Sequence, residues 1–68
     1  MGGNMNDFYL VKIWLDANER SQNWLANRLE VHKQTIHIWK KTGKIPHQSK
    51  LAICYVTGTN YEQLFGGN

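Results

Sequence analysis

Apolar residues recur at helical spacing along most of the chain, and short polar stretches divide them into five segments. Leu25, Ala26 and Leu29 share one face of a helix that follows Ser21. Ile36 and Trp39 lie within about 60° of each other when successive residues are placed on a helix. No alternation of apolar and polar residues typical of a strand competes with this pattern. The pattern predicts an all-α protein, a compact bundle of about five short helices.

Capping residues and helix breakers place the ends of these helices. Ser21 is a suitable N-cap for the second helix, whereas Gly43 and Pro46 end the third. The spacing of Thr59 and Glu62 predicts a capping box at the start of the fifth helix. Asn6 or Asp7 caps the first helix, and Gly58 fits the C′ position of the fourth. The first four helices are predicted over residues 8–18, 22–29, 33–41 and 47–57.

The apolar residues of the first helix are too dense to fix a single buried face. In the first helix, Val11 and Leu15 are expected to be buried with Trp14 or Phe8. In the fourth helix, the residues expected to face inward are Leu51, Ile53 or Cys54, and Tyr55.

A chain of 68 residues predicts a single domain. We expect this domain to span residues 6–65, preceded by a disordered start or non-native residues at 1–5 and followed by a flexible tail at 66–68. The single cysteine, Cys54, cannot form an internal disulfide, and no Cys/His cluster has zinc spacing. No apolar run approaches the roughly 18 residues of a membrane span, and no signal peptide is visible. A cytoplasmic protein is expected.

Positive charge is concentrated in one part of the chain. Residues 31–50 contain five lysines, all three histidines and no acidic residue, whereas the net charge of the whole chain is +3. Such a block favours a polyanionic partner, with nucleic acid as the first candidate. A charge run by itself is more often an ordinary solvated surface, so its position on the helices matters.

The third helix carries the chemistry that makes nucleic acid the better interpretation. Gln34, His37 and Lys41 lie opposite Ile36 and Trp39. Lys33 and Ile38 lie at the two edges of this outer face. An α-helix fits the major groove of DNA, where amide, imidazole and ammonium groups can pair with base edges and an apolar side chain can contact a thymine methyl. The predicted base-reading residues are Lys33, Gln34, His37 and Ile38.

Phosphate contacts are expected around this face. The third helix ends in lysines that are better placed for the DNA backbone than for bases. The unpaired N–H groups at the start of the second helix, at Ser21 and Gln22, are suited to bind a phosphate. The predicted phosphate-contacting residues are Ser21, Gln22, His32, Lys40, Lys41 and Lys44.

The stretch SQNWLANRLEVHKQTIHIWKKTGKIP resembles the helix-turn-helix of the phage repressor and Cro family, a large XRE-like group. The resemblance covers residues 21–65 and implies a lambda-repressor-like fold and DNA binding. It places a phosphate-contacting glutamine at Gln22, recognition-helix positions at 32–34, 37 and 38, and later phosphate contacts at Lys41 and Lys44. The matching positions are Ser21, Gln22, Leu25, Ala26, Leu29, Val31, Ile36, Trp39, Gly43, Pro46, Leu51, Ile53, Gly58, Leu64 and Phe65.

The chain departs from the family pattern at two residues. Glu30 stands where the family has a turn glycine, so either the residue takes a strained positive φ or the turn is redrawn. Trp24 stands where a polar residue is common, and it could extend the core or form a partner surface. The absence of a second domain makes the chain more similar to the Cro-type members.

The expected function is that of a sequence-specific transcriptional regulator, in particular a repressor that binds double-stranded DNA. A homodimer on a pseudo-palindromic operator is expected, formed through the fourth or fifth helix and the tail, with Tyr61, Leu64 and Phe65 as candidates. The alternative is a protein-interaction module on the same fold, anchored by Trp24 and Ile38. No enzymatic activity, cofactor or metal is expected, because no paired carboxylates, catalytic triad or phosphate-binding glycine loop is present.

Overall fold

The computed structural model describes residues 6–66, which form five helices and no strand. The predicted all-α class is confirmed. Residues 1–5 and 67–68, which include the predicted disordered start and most of the predicted tail, lie outside the described residues. The helices are α1 (Asp7–Ala17), α2 (Gln22–Leu29), α3 (Lys33–Thr42), α4 (His47–Thr57) and α5 (Tyr61–Phe65). None of the helices described is both long and apolar enough to span a membrane.

One apolar core lies between the helices, because each helix turns its apolar stripe toward its neighbours. Val11 and Leu15 are buried as predicted, together with Phe8, whereas Trp14 is half-buried. The residues of the core are Phe8, Val11, Leu15, Leu25, Ala26, Ile36, Trp39, Ile45, Ile53, Cys54, Leu64 and Phe65.

The prediction that Leu51 and Tyr55 of α4 face inward is wrong. Their exposed fractions are 48% and 88%. The buried face of α4 is set by Ile53 and Cys54, which pack toward α2 and α5. Leu51 and Tyr55 are each two residues from Ile53, so they lie roughly 160° around the helix from it. The outer face of α4 therefore carries an exposed apolar pair one helical turn apart.

The predicted capping box of α5 is displaced by one residue. Asn60, not Thr59, is the N-cap. Its side chain accepts from the Gln63 N–H at 2.8 Å, and the Gln63 side chain accepts from the Asn60 N–H at 2.9 Å. Thr59 belongs to the end of α4 instead. Its N–H donates to the Cys54 carbonyl at 3.1 Å, and its hydroxyl lies 2.9 Å from that of Thr57.

Four helices are followed by a residue with left-handed backbone conformation: Glu19 after α1, Glu30 after α2, Gly43 after α3 and Gly58 after α4. In α2, the N–H of Val31 donates to the Ala26 carbonyl at 3.0 Å across this residue, the pattern of a Schellman motif. Glu30 has φ +59°, so of the two alternatives the chain keeps a left-handed residue here, and the glutamate takes a conformation that favours glycine.

Two of the three predicted dimer residues are buried within the single chain. The exposed fractions of Leu64 and Phe65 are 8% and 1%, so neither can form an interface. Tyr61 is half-buried, with its ring against those of His47 and Phe65. The prediction was wrong for Leu64 and Phe65 because α5 is only five residues long and turns its apolar end into the core.

Candidate nucleic-acid interface

The site is built on α2 and α3, which pack against each other and are joined by the three-residue turn 30–32. Leu25 and Ala26 of α2 are buried, as are Ile36 and Trp39 of α3. The two buried residues of α3 orient the helix, because they hold one side of it against the core. The opposite side must then face solvent.

The exposed side of α3 carries the four residues predicted to read bases. Lys33, Gln34, His37 and Ile38 are all exposed, and more than half of the Ile38 side chain is accessible, at 56%. An isoleucine this exposed, surrounded by polar residues, lacks a packing role in the part of the chain that the structure describes.

These side chains form two adjacent rows along α3. The first row is Lys33, His37 and Lys40, and the second is Gln34, Ile38 and Lys41, both at helical spacing. The first row lines a groove between α3 and the start of α2, together with Gln22, Asn23 and Ile36. The structure thus brings Gln22 next to the first row, while the second row lies outside this groove.

The start of α2 lies beside this groove. Ser21 is its N-cap, and the Ser21 hydroxyl accepts from the Trp24 N–H at 3.0 Å. Gln22 and Asn23, the first residues of the helix, line the groove. Asn23 was not among the residues predicted from the sequence, although its position next to Gln22 could have indicated a place in the interface. A second groove, toward α1, adds Arg20 beside Ser21; Lys12 also lines it but is paired with Asp16.

The lysines of the basic block separate into two groups. Lys33, Lys40, Lys41 and Lys44 are exposed and form no ion pair within residues 6–66. The fifth, Lys50, has a side chain only 17% exposed, and its ammonium lies 3.3 Å from the Asp7 carboxylate. Among the described residues, the lysines of this block without an ion-pair partner therefore lie on α3 and on the loop that follows it.

His32 is the N-cap residue of α3, but its imidazole forms no capping hydrogen bond. The side chain is exposed at the point where the chain leaves the turn and enters α3. Because the first N–H groups of a helix lack partners within it, this end of α3 can accept an anion beside the imidazole.

Trp24 extends the core and does not project as a free anchor. Its ring stacks on that of Trp14, with centroids 6.0 Å apart and an interplanar angle of 25°. The guanidinium groups of Arg20 and Arg28 lie 5.1 and 5.8 Å from the centroid of the same ring. Of the two interpretations that the sequence left open, the structure favours packing.

A short turn between two packed helices, with a polar and basic outer face on the second, defines a helix-turn-helix of the DNA-binding type. The family model of the bacteriophage CI repressor helix-turn-helix domain matches residues 15–68, and the chain belongs to this family. The predicted phage repressor-type family is confirmed, and with it a role in DNA-binding transcription regulation. Comparisons with curated proteins and with solved structures produced no match.

Proposed function

We propose that the protein is a transcriptional repressor that places α3 in the major groove of an operator. One observation carries the proposal: the exposed face of α3 and the following loop combine four lysines that form no ion pair within residues 6–66 with amide, imidazole and apolar side chains. The helix α3 contains no acidic residue. Such a surface matches both the phosphate charge and the base edges of the groove. The name of the matched family supports repression as the role. The closer likeness to Cro-type members stays a prediction.

Base reading is assigned to the middle of α3. Gln34 can donate to and accept from adenine, and Lys33 or His37 can donate to guanine O6 or N7. Ile38, exposed in the same row as Gln34, can contact a thymine methyl. Residues one turn apart within a row, such as Gln34 and Ile38, would read successive base pairs, because successive turns of the helix follow the groove.

Phosphate contacts are assigned around this surface. On the α2 side, the start of α2 offers Ser21, Gln22 and Asn23, and Lys40 lines the same groove as Gln22 and Asn23. At the end of α3, Lys41 in the last turn and Lys44 in the following loop lie beyond Gln34 and Ile38. His32 lies at the start of α3, where its imidazole can reach the same backbone. These contacts set affinity and orientation and carry no direct sequence information.

The protein is proposed to act as a homodimer on a pseudo-palindromic operator, formed through the outer face of α4. Leu51 and Tyr55 are one helical turn apart, and their exposed fractions are 48% and 88%. A single short reading helix binds weakly, and two copies on half-sites about one helical turn apart would overcome this. Residues 6–65 serve as the DNA-binding domain.

A salt titration on a random-sequence duplex tests the DNA-binding proposal. The logarithm of affinity should fall linearly with the logarithm of salt concentration, by about 0.9 per phosphate contact. Lys44→Ala should lower this slope by about one unit. Lys12→Ala removes the same charge from α1, where Lys12 is paired with Asp16, and should change the slope much less. Absence of binding at low salt would overturn the proposal.

Selection of bound sites from random DNA tests the operator and the dimer together. A palindrome with two half-sites about one helical turn apart is expected. Tyr55→Ser should weaken binding to this palindrome much more than binding to an isolated half-site, because it acts on the contact between copies. A single asymmetric site would contradict the dimer and leave the DNA-binding proposal standing.

A further inference from the structure

The loop between α3 and α4 is held at two points by the first residue of α1. The backbone N–H of Asp7 donates to the Gly43 carbonyl at 2.8 Å. The carboxylate of Asp7 accepts from the Ile45 N–H at 3.1 Å, in a partly buried contact between residues 38 positions apart. Gly43 and Ile45 are both buried, whereas Lys44 between them is exposed. One residue of α1 therefore anchors the backbone on either side of Lys44.

The backbone of Lys44 itself is also held. Its N–H donates to the Thr42 hydroxyl oxygen at 3.2 Å, and that hydroxyl donates to the Ile38 carbonyl at 2.9 Å. The loop is thus tied to α3 at Thr42 as well as to α1 at Asp7. What remains free to move at Lys44 is the side chain.

Asp7 is in turn held in place by α4 and α5. The Lys50 ammonium lies 3.3 Å from its carboxylate and 3.4 Å from the Tyr61 hydroxyl. The Asp7 and Lys50 side chains are only 19% and 17% exposed. The preceding residue, Asn6, packs on Gly43 so closely that a Cβ atom at position 43 would lie 2.8 Å from the Asn6 Cβ. Lys50 also neutralises the negative charge of Asp7, which would otherwise repel a phosphate backbone near Lys44.

We propose that Asp7 is a positioning residue for DNA binding, which acts through the loop that carries Lys44. The inference rests on the proposed function, since it treats Lys44 as a phosphate contact. A loop that is already ordered does not have to be ordered when DNA binds, so the Lys44 contact keeps more of its favourable free energy. An acidic residue that lies outside the DNA-contacting surface thereby increases affinity for a polyanion.

The first test is the affinity of Asp7→Ala for a random-sequence duplex, measured where circular dichroism shows each variant to be fully folded. We expect a loss of about three- to tenfold and a smaller salt slope, although the net charge becomes more positive. Asp7→Asn retains an acceptor for the Ile45 N–H and should recover part of the loss. Asp16→Ala is the matched control: it also removes an α1 acid paired with a lysine, and it should bind unchanged or more tightly.

A double-mutant cycle separates positioning from general destabilisation. In a Lys44→Ala background, Asp7→Ala should cost little further affinity, because the group it positions is already gone. Equal losses in both backgrounds, or no loss from Asp7→Ala in the wild-type chain, would overturn the inference while the proposed function stands. Failure of the wild-type chain to bind any duplex at low salt would overturn the proposed function, and the inference with it.

Discussion

The Lys50 ammonium lies 3.3 Å from the Asp7 carboxylate and links α4 to the start of α1. Burial lowers the pKa of Lys50, but hydrogen bonds to Tyr61 and Asp7 and the attraction of the Asp7 charge outweigh it. The pKa of Lys50 is therefore raised above its ordinary value of 10.5. The pair stabilises the folded chain as long as the lysine is protonated.

This ion pair predicts how stability depends on pH. Because the pKa of Lys50 is higher in the folded than in the unfolded chain, its contribution is fully present below about pH 10 and is lost as pH rises through the folded value. Lys50→Met should lower the free energy of unfolding by about 1–2 kcal/mol near neutral pH. The difference between wild type and Lys50→Met, measured by urea unfolding, should shrink as pH rises above 10.5 and through the higher pKa of the folded chain.

Lys12→Met is the control for this measurement, since Lys12 forms an exposed pair with Asp16 at 3.0 Å. An exposed pair of this kind contributes about 0–1 kcal/mol. A Lys50→Met difference that stayed constant across the alkaline range would contradict the role given to the ion pair.

Glu30→Gly should stabilise the protein by about 0.5–1 kcal/mol, because glycine adopts the left-handed conformation without the strain of a side chain. Glu30 has φ +59°, and Glu19 has φ +56° in the same kind of helix end after α1. Glu19→Gly is therefore a matched control for the backbone effect and should raise the thermal midpoint similarly. If Glu30→Gly lowered the midpoint while Glu19→Gly raised it, the Glu30 side chain would have a stabilising role of its own.

Gly43 and Gly58 allow a comparison of two glycines with nearly the same backbone, φ +76° and +75°. An added Cβ at Gly43 would lie 2.8 Å from the Asn6 Cβ, whereas the space at Gly58 is open. Gly58→Ala should cost about 1 kcal/mol from the left-handed conformation alone. Gly43→Ala should cost about 2–3 kcal/mol, because the Asn6 side chain must also move. Equal losses in chemical unfolding would show that Asn6 moves aside easily.

Gln34→Ala and His37→Ala should each change base preference at one position per half-site, by about 1–3 kcal/mol. Lys41→Ala, the control at the end of the same helix, should weaken binding to all sequences alike because it is assigned to phosphate. Competition between operator variants that differ at single base pairs measures both effects. A uniform loss for Gln34→Ala would remove that residue from the base-reading set.

The helices and the outward face of α3 could be predicted from the sequence because both depend on neighbouring residues. The Ser21 cap, the left-handed Gly43 and the spacing of Ile36 and Trp39 act within one or two helical turns. Once two residues of α3 are known to be buried, the exposed side follows from the helical repeat. The bounds of α2 and α4 agree with the structure for the same reason.

The remaining features depended on how the helices pack. Local spacing was ambiguous in α4, where Leu51 and Tyr55 are as apolar as the buried Ile53, and only contact with α2 and α5 decided the face. Trp24 could be placed only once Trp14 was known to lie 6.0 Å away.

By itself, the sequence determined an all-α chain, its helix-turn-helix and the residues that face outward on α3, since these follow from local periodicity and capping. Tertiary structure decided that Lys50 is paired with Asp7 and unavailable as a free cation, and that Asp7 holds the loop around Lys44. The physical reason is distance along the chain: residues 7, 45 and 50 meet only after the helices pack, and no local pattern encodes that contact.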